Sequence, residues 1–380
     1  MSSKPTGNDK LLHRRHRLSR RRNARQRPET GDEVTPDHVR NVILREFDRR
    51  MGRETAWRID GPPITARESL IYRVRETAAP APLAVKVYFP GVDTRKIVTR
   101  AELMRAYRNA MGSGLEQSVP SVLAIMPEHR TVVMEWIGEP RLDHLLARTG
   151  MRSDQRRTLF AAAGRWLRRF HQRSGFATRP LDGLELVQRV DIRLGGTAGA
   201  GRNARDPVFR DGYEALAAAA RALDGTPFPH VTAHGDFAAH NLFHGGGRTI
   251  GIDFSARADV PYAGDAFRFL VHAETERSVM QRSGLASVGR WIGVDDFMAG
   301  YGPLEADVDD RVLGLLLLGE VMLRWAMLID RIDRGQRKLS NIPRILRFRR
   351  LAGWTLAWLD TEGGRARQRL APVSADERAA

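Results

Sequence analysis

The 380-residue sequence contains no cysteine. That absence excludes a disulfide framework, a thiolate zinc site, an iron–sulfur cluster and a cysteine nucleophile together. Acidic residues are in deficit: 62 Lys and Arg face 45 Asp and Glu, for a formal charge of +17. Such a balance points toward anionic partners, although an arginine-rich composition produces it too. No internal repeat is present, which sets solenoids aside. Long apolar runs are scarce. The longest, Val312 to Ile329, has the length of a membrane span but is interrupted by Glu320 and Arg324. Each charge near the middle of a span would cost roughly 2.5–3.5 kcal/mol, whereas four residues apart on a helix the two can pair. The run therefore predicts a buried core helix. Ser19-Arg20-Arg21 resembles a twin-arginine export signal but lacks the apolar segment that must follow, so a soluble, cytoplasmic chain is expected.

What is present is a globular composition, 42% apolar, in a chain too long for the usual single core, which favours two domains or two lobes. Residues 1–30 hold ten Lys and Arg against Asp9 and Glu29. They show no apolar periodicity, and residues 1–35 are expected to form a disordered basic arm. Val39, Val42, Ile43, Phe47 and Met51 then recur at helical spacing. Strand-like runs follow at Trp57–Asp60, Leu70–Arg75, Leu83–Phe89, Val122–Met126 and Thr131–Ile137, with a helical stretch from Ile97 to Met111. From Gly138 the pattern turns helical, with helices expected at Leu142–Arg148, Thr158–His171 and Tyr213–Leu223, and a Gly/Ala/Arg loop over 195–206. A short extended region spans Val231 to Phe254, and Gly245-Gly246-Gly247 marks a tight turn within it. The expected division is a β-rich lobe over 36–137, a helical lobe over 138–361 and a polar tail over 362–380.

The most informative segment is His234-Gly235-Asp236-Phe237-Ala238-Ala239-His240-Asn241, followed twelve residues later by Asp253-Phe254. A turn can aim Asp236 at a substrate hydroxyl while Asn241 and Asp253, returned to one end of a hairpin, hold Mg²⁺ beside it. Magnesium suits such oxygen ligands and takes one or two carboxylates, with nucleotide phosphates and water completing its shell. The plainer reading is an Asp cap and a buried Asn that stabilise a loop. Upstream, Lys86 stands within the apolar strand Leu83–Phe89, where an anion such as the α- and β-phosphates of ATP would account for it. Glu102, in the following helix, is the candidate to orient the amine, with Asp93 nearby as an alternative. A snorkelling lysine and a solvated glutamate are the competing readings.

The order Lys86, Glu102, His-Gly-Asp-x4-Asn, Asp-Phe resembles the aminoglycoside phosphotransferase and choline kinase group of the protein-kinase-like superfamily, over roughly residues 55 to 350. The resemblance implies an α+β, two-lobed kinase-like fold with a small antiparallel β lobe and a larger, mainly helical lobe. It implies ATP and Mg²⁺ as cofactors, Asp236 as the catalytic base, Asn241 and Asp253 as metal ligands, and Lys86 with Glu102 as the phosphate-binding ion pair. Met134-Glu135-Trp136-Ile137 would form the hinge, with Glu135 and Ile137 meeting adenine. Ser69 would serve a phosphate loop that here contains no glycine. Asp265 matches an acid that buttresses the following helix. Gly235 stands where protein kinases carry an arginine, and no Ala-Pro-Glu segment follows Asp253. Both departures argue for a small-molecule kinase rather than a phosphorylation-switched one.

The expected activity is therefore phosphoryl transfer from ATP to a hydroxyl of a small molecule or glycan. A nucleotide-binding pseudokinase that acts as an interaction protein is the alternative from another class, its basic arm engaging nucleic acid or an anionic membrane. A metal-dependent phosphohydrolase built on His234, His240, His244, Asp236 and Asp253 is a third. The basic character of the chain favours an anionic or neutral acceptor. A second basic stretch, Arg331 to Arg350, could cradle an anion or simply coat a helix.

Overall fold

The computed structural model describes residues 34–77, 81–112, 116–149, 154–194, 206–277, 285–287, 290–303, 308–336 and 341–360. Most of the expected arm, the expected tail and nearly all of the 195–206 loop lie outside them. Val34 and Thr35 already belong to the fold: the Val34 carbonyl accepts from the Tyr72 hydroxyl at 2.5 Å, and Thr35 caps the first helix through His38 N–H. That helix, α1, runs through Pro36–His38, Val39–Ile43 and Leu44–Met51 and is wound as a π-helix in its middle.

Next come β1 (Trp57–Ile59), β2 (Ile64–Thr65), β3 (Ser69–Glu76), β4 (Leu83–Tyr88), α2 (Thr94–Met111), β5 (Gln117–Ser118), β6 (Val122–Met126) and β7 (Thr131–Glu135). Six of these strands form one antiparallel sheet in the order β1-β3-β4-β7-β6, with β2 alongside β3. The period of two along β4 sorts its side chains between two cores. Val85 and Val87 join Tyr72, Val74 and the α1 residues Val39, Ile43 and Phe47. Ala84 and Tyr88 pack on the other face with Ile97 and Ala101 of α2. Lys86 alternates onto this second face, opposite Ile71 and Val132.

The helical part contains α3 (Leu142–Arg148), α4 (Asp154–Gln172), β8 (Ala177–Pro180), α5 (Gly183–Leu194), α6 (Pro207–Leu223), β9 (Pro227–Ala233), β10 (Leu242–Gly245), β11 (Arg248–Gly251), β12 (Arg257–Pro261), α7 (Ala263–Thr275), α8 (Ile292–Tyr301), α9 (Asp310–Asp333) and α10 (Asn341–Asp360). The small antiparallel β lobe and larger helical lobe of the expected fold are both present. Helix α9 is long and apolar enough to cross a membrane by length and composition, yet 89% of its most apolar window is buried in the protein. Arg324 and Glu320 on it pair at 2.5 Å, as their spacing requires. Each fully buried leucine of this helix is worth about 1.5–3 kcal/mol, so α9 organises the large core. Helices α4 and α8 pack so closely that a Cβ at Gly164 would lie 2.2 Å from the Phe297 carbonyl.

The lobes interlock. Tyr107 and Met111, at the end of α2, belong to the large core. Strand β5 pairs in parallel with β11, and Trp166 Nε1 donates to the Ser118 carbonyl at 2.8 Å. The second basic stretch is occupied with holding helices together. Arg344 pairs with Glu276, Arg347 donates to the Arg277 carbonyl at 2.8 Å, and Arg349 lies 3.3 Å from Asp206. Arg337 and Lys338 lie outside the described residues.

Candidate functional site

Asp236 sits on a loop that leaves β9 and ends at Asn241, and this loop is fixed from behind. Phe237 is fully buried and stacks on Trp166 at 5.7 Å. His234 is fully buried among Trp166, Phe170, Phe237 and Phe254, and its Nδ1 accepts from Asp236 N–H at 3.3 Å. Burial drives its pKa down to about 4, against the pull of Asp265, Asp236 and Asp253. The ring is thus neutral at pH 7. Asp265, buried at the start of α7, accepts from His234 N–H at 2.5 Å and from Gly235 N–H at 3.1 Å. It buttresses the loop rather than its own helix, whose N-terminus has no side-chain cap. Burial alone would raise the Asp265 pKa, but His171, His234 and Arg268 outweigh it and hold the carboxyl below its ordinary value.

Gly235 has φ +84°, and a Cβ there would stand 2.1 Å from Ser255 Oγ. A side chain is therefore excluded by both backbone conformation and space. The arginine that protein kinases carry at this place has no room here. The Asp236 side chain itself is 59% exposed at the end of this rigid support.

The hairpin delivers the amide Asn241 and the acid Asp253 as its spacing predicts. Leu242 pairs with Gly251, and Ile252 N–H donates to the Asn241 carbonyl at 3.0 Å, so Asn241 and Asp253 emerge at one end. Asn241 is buried, and its Nδ2 donates to the Asp236 carbonyl at 2.9 Å and to Asp236 Oδ2 at 3.4 Å. This commits the amide nitrogen and leaves the amide oxygen for a cation. Asp253 has φ +57°, a left-handed conformation that aspartate tolerates better than most residues. Phe254 behind it is buried against Tyr107 and Phe170, which anchors that turn. An amide oxygen beside an exposed carboxylate suits Mg²⁺, which completes its shell with phosphates and water.

Lys86 reaches across from β4, with Nζ 3.3 Å from Asp253 Oδ1. Burial would lower its pKa, but Asp253 and Tyr88 more than offset that, so the ammonium is held charged. The expected partner, Glu102, is not in contact with it. Glu102 is 55% exposed and pairs with Arg105 at 3.1 Å, because its position on α2 turns it outward. Asp93 is the N-cap of α2, accepting from Arg95 N–H at 2.9 Å. Ser69 opens β3 on the Lys86 face, opposite Tyr88, but is 1% exposed, its Oγ without a hydrogen-bond partner among the described residues. The Glu135 side chain ties the lobes together: it accepts from Ser121 N–H at 3.2 Å and lies 3.4 Å from Arg248. Its side chain is thus engaged within the protein, which leaves its backbone to meet a base. His244 is engaged with Thr249 at 3.0 Å, and His240 packs on His272.

The sequence reading missed Arg268. Its guanidinium donates to the Gly235 carbonyl, lies 3.8 Å from Asp236 Oδ1 and 3.5 Å from Glu320. Burial would depress its pKa, and the carboxylates of Glu320, Asp265 and Asp236 reverse that. Its signal was present: three residues after Asp265 on a helix is the same face. Beside it, below the loop, a cavity of about 400 Å³ opens between β12, α5, α7 and α9.

Against known proteins, the sequence model described as "Phosphotransferase enzyme family" matches residues 61–260. No curated protein sequence matches the chain. Among solved structures, a Ralstonia eutropha JMP134 protein assigned to the aminoglycoside phosphotransferases shares 13% identity, with a TM-score of 0.54, over 83% of this chain and 97% of that one. An amicoumacin kinase, solved with AMP-PNP and Ca²⁺, shares 15% identity with a TM-score of 0.51, over 78% of this chain and 88% of that one. A choline/ethanolamine kinase family protein from Mesorhizobium loti aligns at 16% identity and a TM-score of 0.49, over 82% and 92%.

Proposed function

The chain belongs to the phosphotransferase enzyme family matched by residues 61–260, and from that premise we propose that it transfers the γ-phosphoryl group of ATP, with Mg²⁺, to a hydroxyl of a small molecule or glycan. The observation that carries this reading is the convergence at the cleft: Lys86 Nζ 3.3 Å from Asp253, and Asp236 tied to Asn241 at the end of the same hairpin. A lysine among apolar neighbours, a carboxylate held in a left-handed turn and a solvent-facing aspartate serve three different needs of one reaction.

In that reaction Asp236 accepts the proton of the acceptor hydroxyl as its oxygen bonds to the γ-phosphorus and the bond to the ADP oxygen breaks. Arg268 steadies the Asp236 carboxylate from below. Lys86 carries positive charge to the nucleotide phosphates. Asn241 and Asp253 would hold Mg²⁺, which supplies neutralisation of the charge building on the transferring group. Titration with nucleotide tests the arrangement. Mg²⁺–ATP should raise the melting temperature of the wild-type protein by mass action, and Asp253→Ala should remove the Mg²⁺-dependent part of that rise. Equal rises in the variant with and without Mg²⁺ would defeat the metal-ligand assignment.

A further inference from the structure

The cavity below the Asp236 loop touches the loop at Gly235 and shares Arg268 with the base, so it lies beside the base. Four arginines line it: Arg179, Arg189, Arg257 and Arg268. Three are matched, Arg179 with Asp259 at 3.7 Å, Arg257 with Glu185 at 2.5 Å and Arg268 with Glu320 at 3.5 Å. The remaining carboxylates are committed within the protein. Asp182 accepts from Glu185 N–H at 2.8 Å, and Asp265 is held by the loop amides.

Arg189 differs. It projects from α5 half-buried and makes no ion pair or hydrogen bond among the described residues. Burial pushes its pKa down. Glu320 and Glu185 act on it only from a distance, and Arg268 and Arg257 oppose them. A half-buried guanidinium with no ion pair of its own is costly, and its planar fork matches carboxylate and phosphate oxygens.

Resting on the phosphotransferase reading above, we propose that the acceptor carries an anionic group, a phosphate or a carboxylate, which Arg189 binds in this cavity while Asp236 engages the acceptor hydroxyl. A cationic acceptor would meet carboxylates that are already paired and a guanidinium that repels it.

The test uses the full chain with saturating Mg²⁺ and AMP-PNP, so that the nucleotide phosphate positions are filled. Sodium sulfate and sodium acetate stand in for the two anionic groups, and tetramethylammonium chloride at matched ionic strength for a cation. Sulfate stabilises folded proteins in general by exclusion, so only the difference between wild type and variant counts. Arg189→Gln should weaken the midpoint of the sulfate- or acetate-induced melting shift about tenfold, as expected for one lost charge-assisted hydrogen bond. Arg189→Lys, which keeps the charge and guards against a misfolded variant, should retain part of the effect. A response to sulfate alone identifies a phosphate, and a response to acetate alone a carboxylate. Equal anion responses in wild type and Arg189→Gln, or a larger response to the cation, would overturn the proposal. Absence of any AMP-PNP shift in the wild type would instead bring down the phosphotransferase reading, so the two failures are distinguishable.

Discussion

The Asp236 loop and the Lys86 strand face one another across the cleft but differ in what holds them. Behind Asp236 stand a buried aromatic cluster, the Asp265 carboxylate and the Asn241 amide, each fixed in turn by the large core. From Tyr301 the support runs through His171 at 2.9 Å to Asp265 at 3.5 Å and so to the loop amides. Lys86 is held by its strand, by Asp253 and by Tyr88, while Glu102 points into solvent. The groups proposed to meet a developing charge are fixed by the large core, as preorganised catalysis requires. The wall that would admit a nucleotide gives Lys86 fewer supports than the Asp236 loop has.

The largest effect that would sharpen this contrast is chemical. Asp236→Asn should lower phosphoryl transfer, followed as ADP release, by about 10²–10⁴-fold, because the amide cannot take the proton. The melting shift with Mg²⁺–ATP should persist, since the loop is held by groups other than the carboxylate. Full turnover in the variant would remove Asp236 from the reaction.

Next is the response to acid. His234 takes up a proton near the ordinary 6.5 when unfolded but only near 4 when folded. Between those values the unfolded chain binds more protons, so stability falls as pH falls and levels off below about 4. The loss on the order of 3 kcal/mol should show in urea unfolding at pH 7 and pH 4.5, and His234→Asn should flatten that dependence. A wild-type midpoint unchanged across this interval would show that the ring is not held neutral by burial.

A smaller effect is steric. Gly235→Ala should destabilise the protein by about 1–3 kcal/mol, because the added Cβ meets Ser255 Oγ in a left-handed turn. Ser255→Ala removes that oxygen and should restore part of the loss in the double variant, leaving the backbone penalty. Additive losses in urea unfolding would mean that the two residues do not collide.

The smallest effect lies on the opposite wall. Glu102→Gln should leave the Mg²⁺–ATP melting shift nearly unchanged, whereas Lys86→Met should reduce it strongly. A loss as large as that of Lys86→Met would show that Glu102 turns inward to the lysine when nucleotide binds, and would narrow the difference between the two walls.

Legibility in the sequence followed the range of the interactions. Strands β4 and β6, helix α3 and the 242–251 hairpin were readable because alternation, helical period and a triple glycine act within a few residues. The same local geometry brought Asn241 and Asp253 together. Helix α5 went unread because its apolar residues do not mark one buried face: Leu184 and Ile192 are 51% and 69% exposed. The contact of Lys86 with Asp253 was not legible for another reason. Residues 86 and 253 are joined only when one lobe folds onto the other, whereas Glu102 was near in sequence but faces outward on α2.

The sequence by itself determined the chemistry available: a lysine in an apolar strand, the Asp236–Asn241 spacing, and an acid twelve residues beyond. These reside in short segments whose backbone geometry depends on their own residues. Only the tertiary structure decided which charges cancel. Arg268 against Asp236, three matched arginines in the cavity and Arg189 without an ion-pair partner among the described residues all depend on elements distant in sequence. Coulombic balance is set by separation in space and by burial, and neither is fixed until the helical lobe has closed around α9.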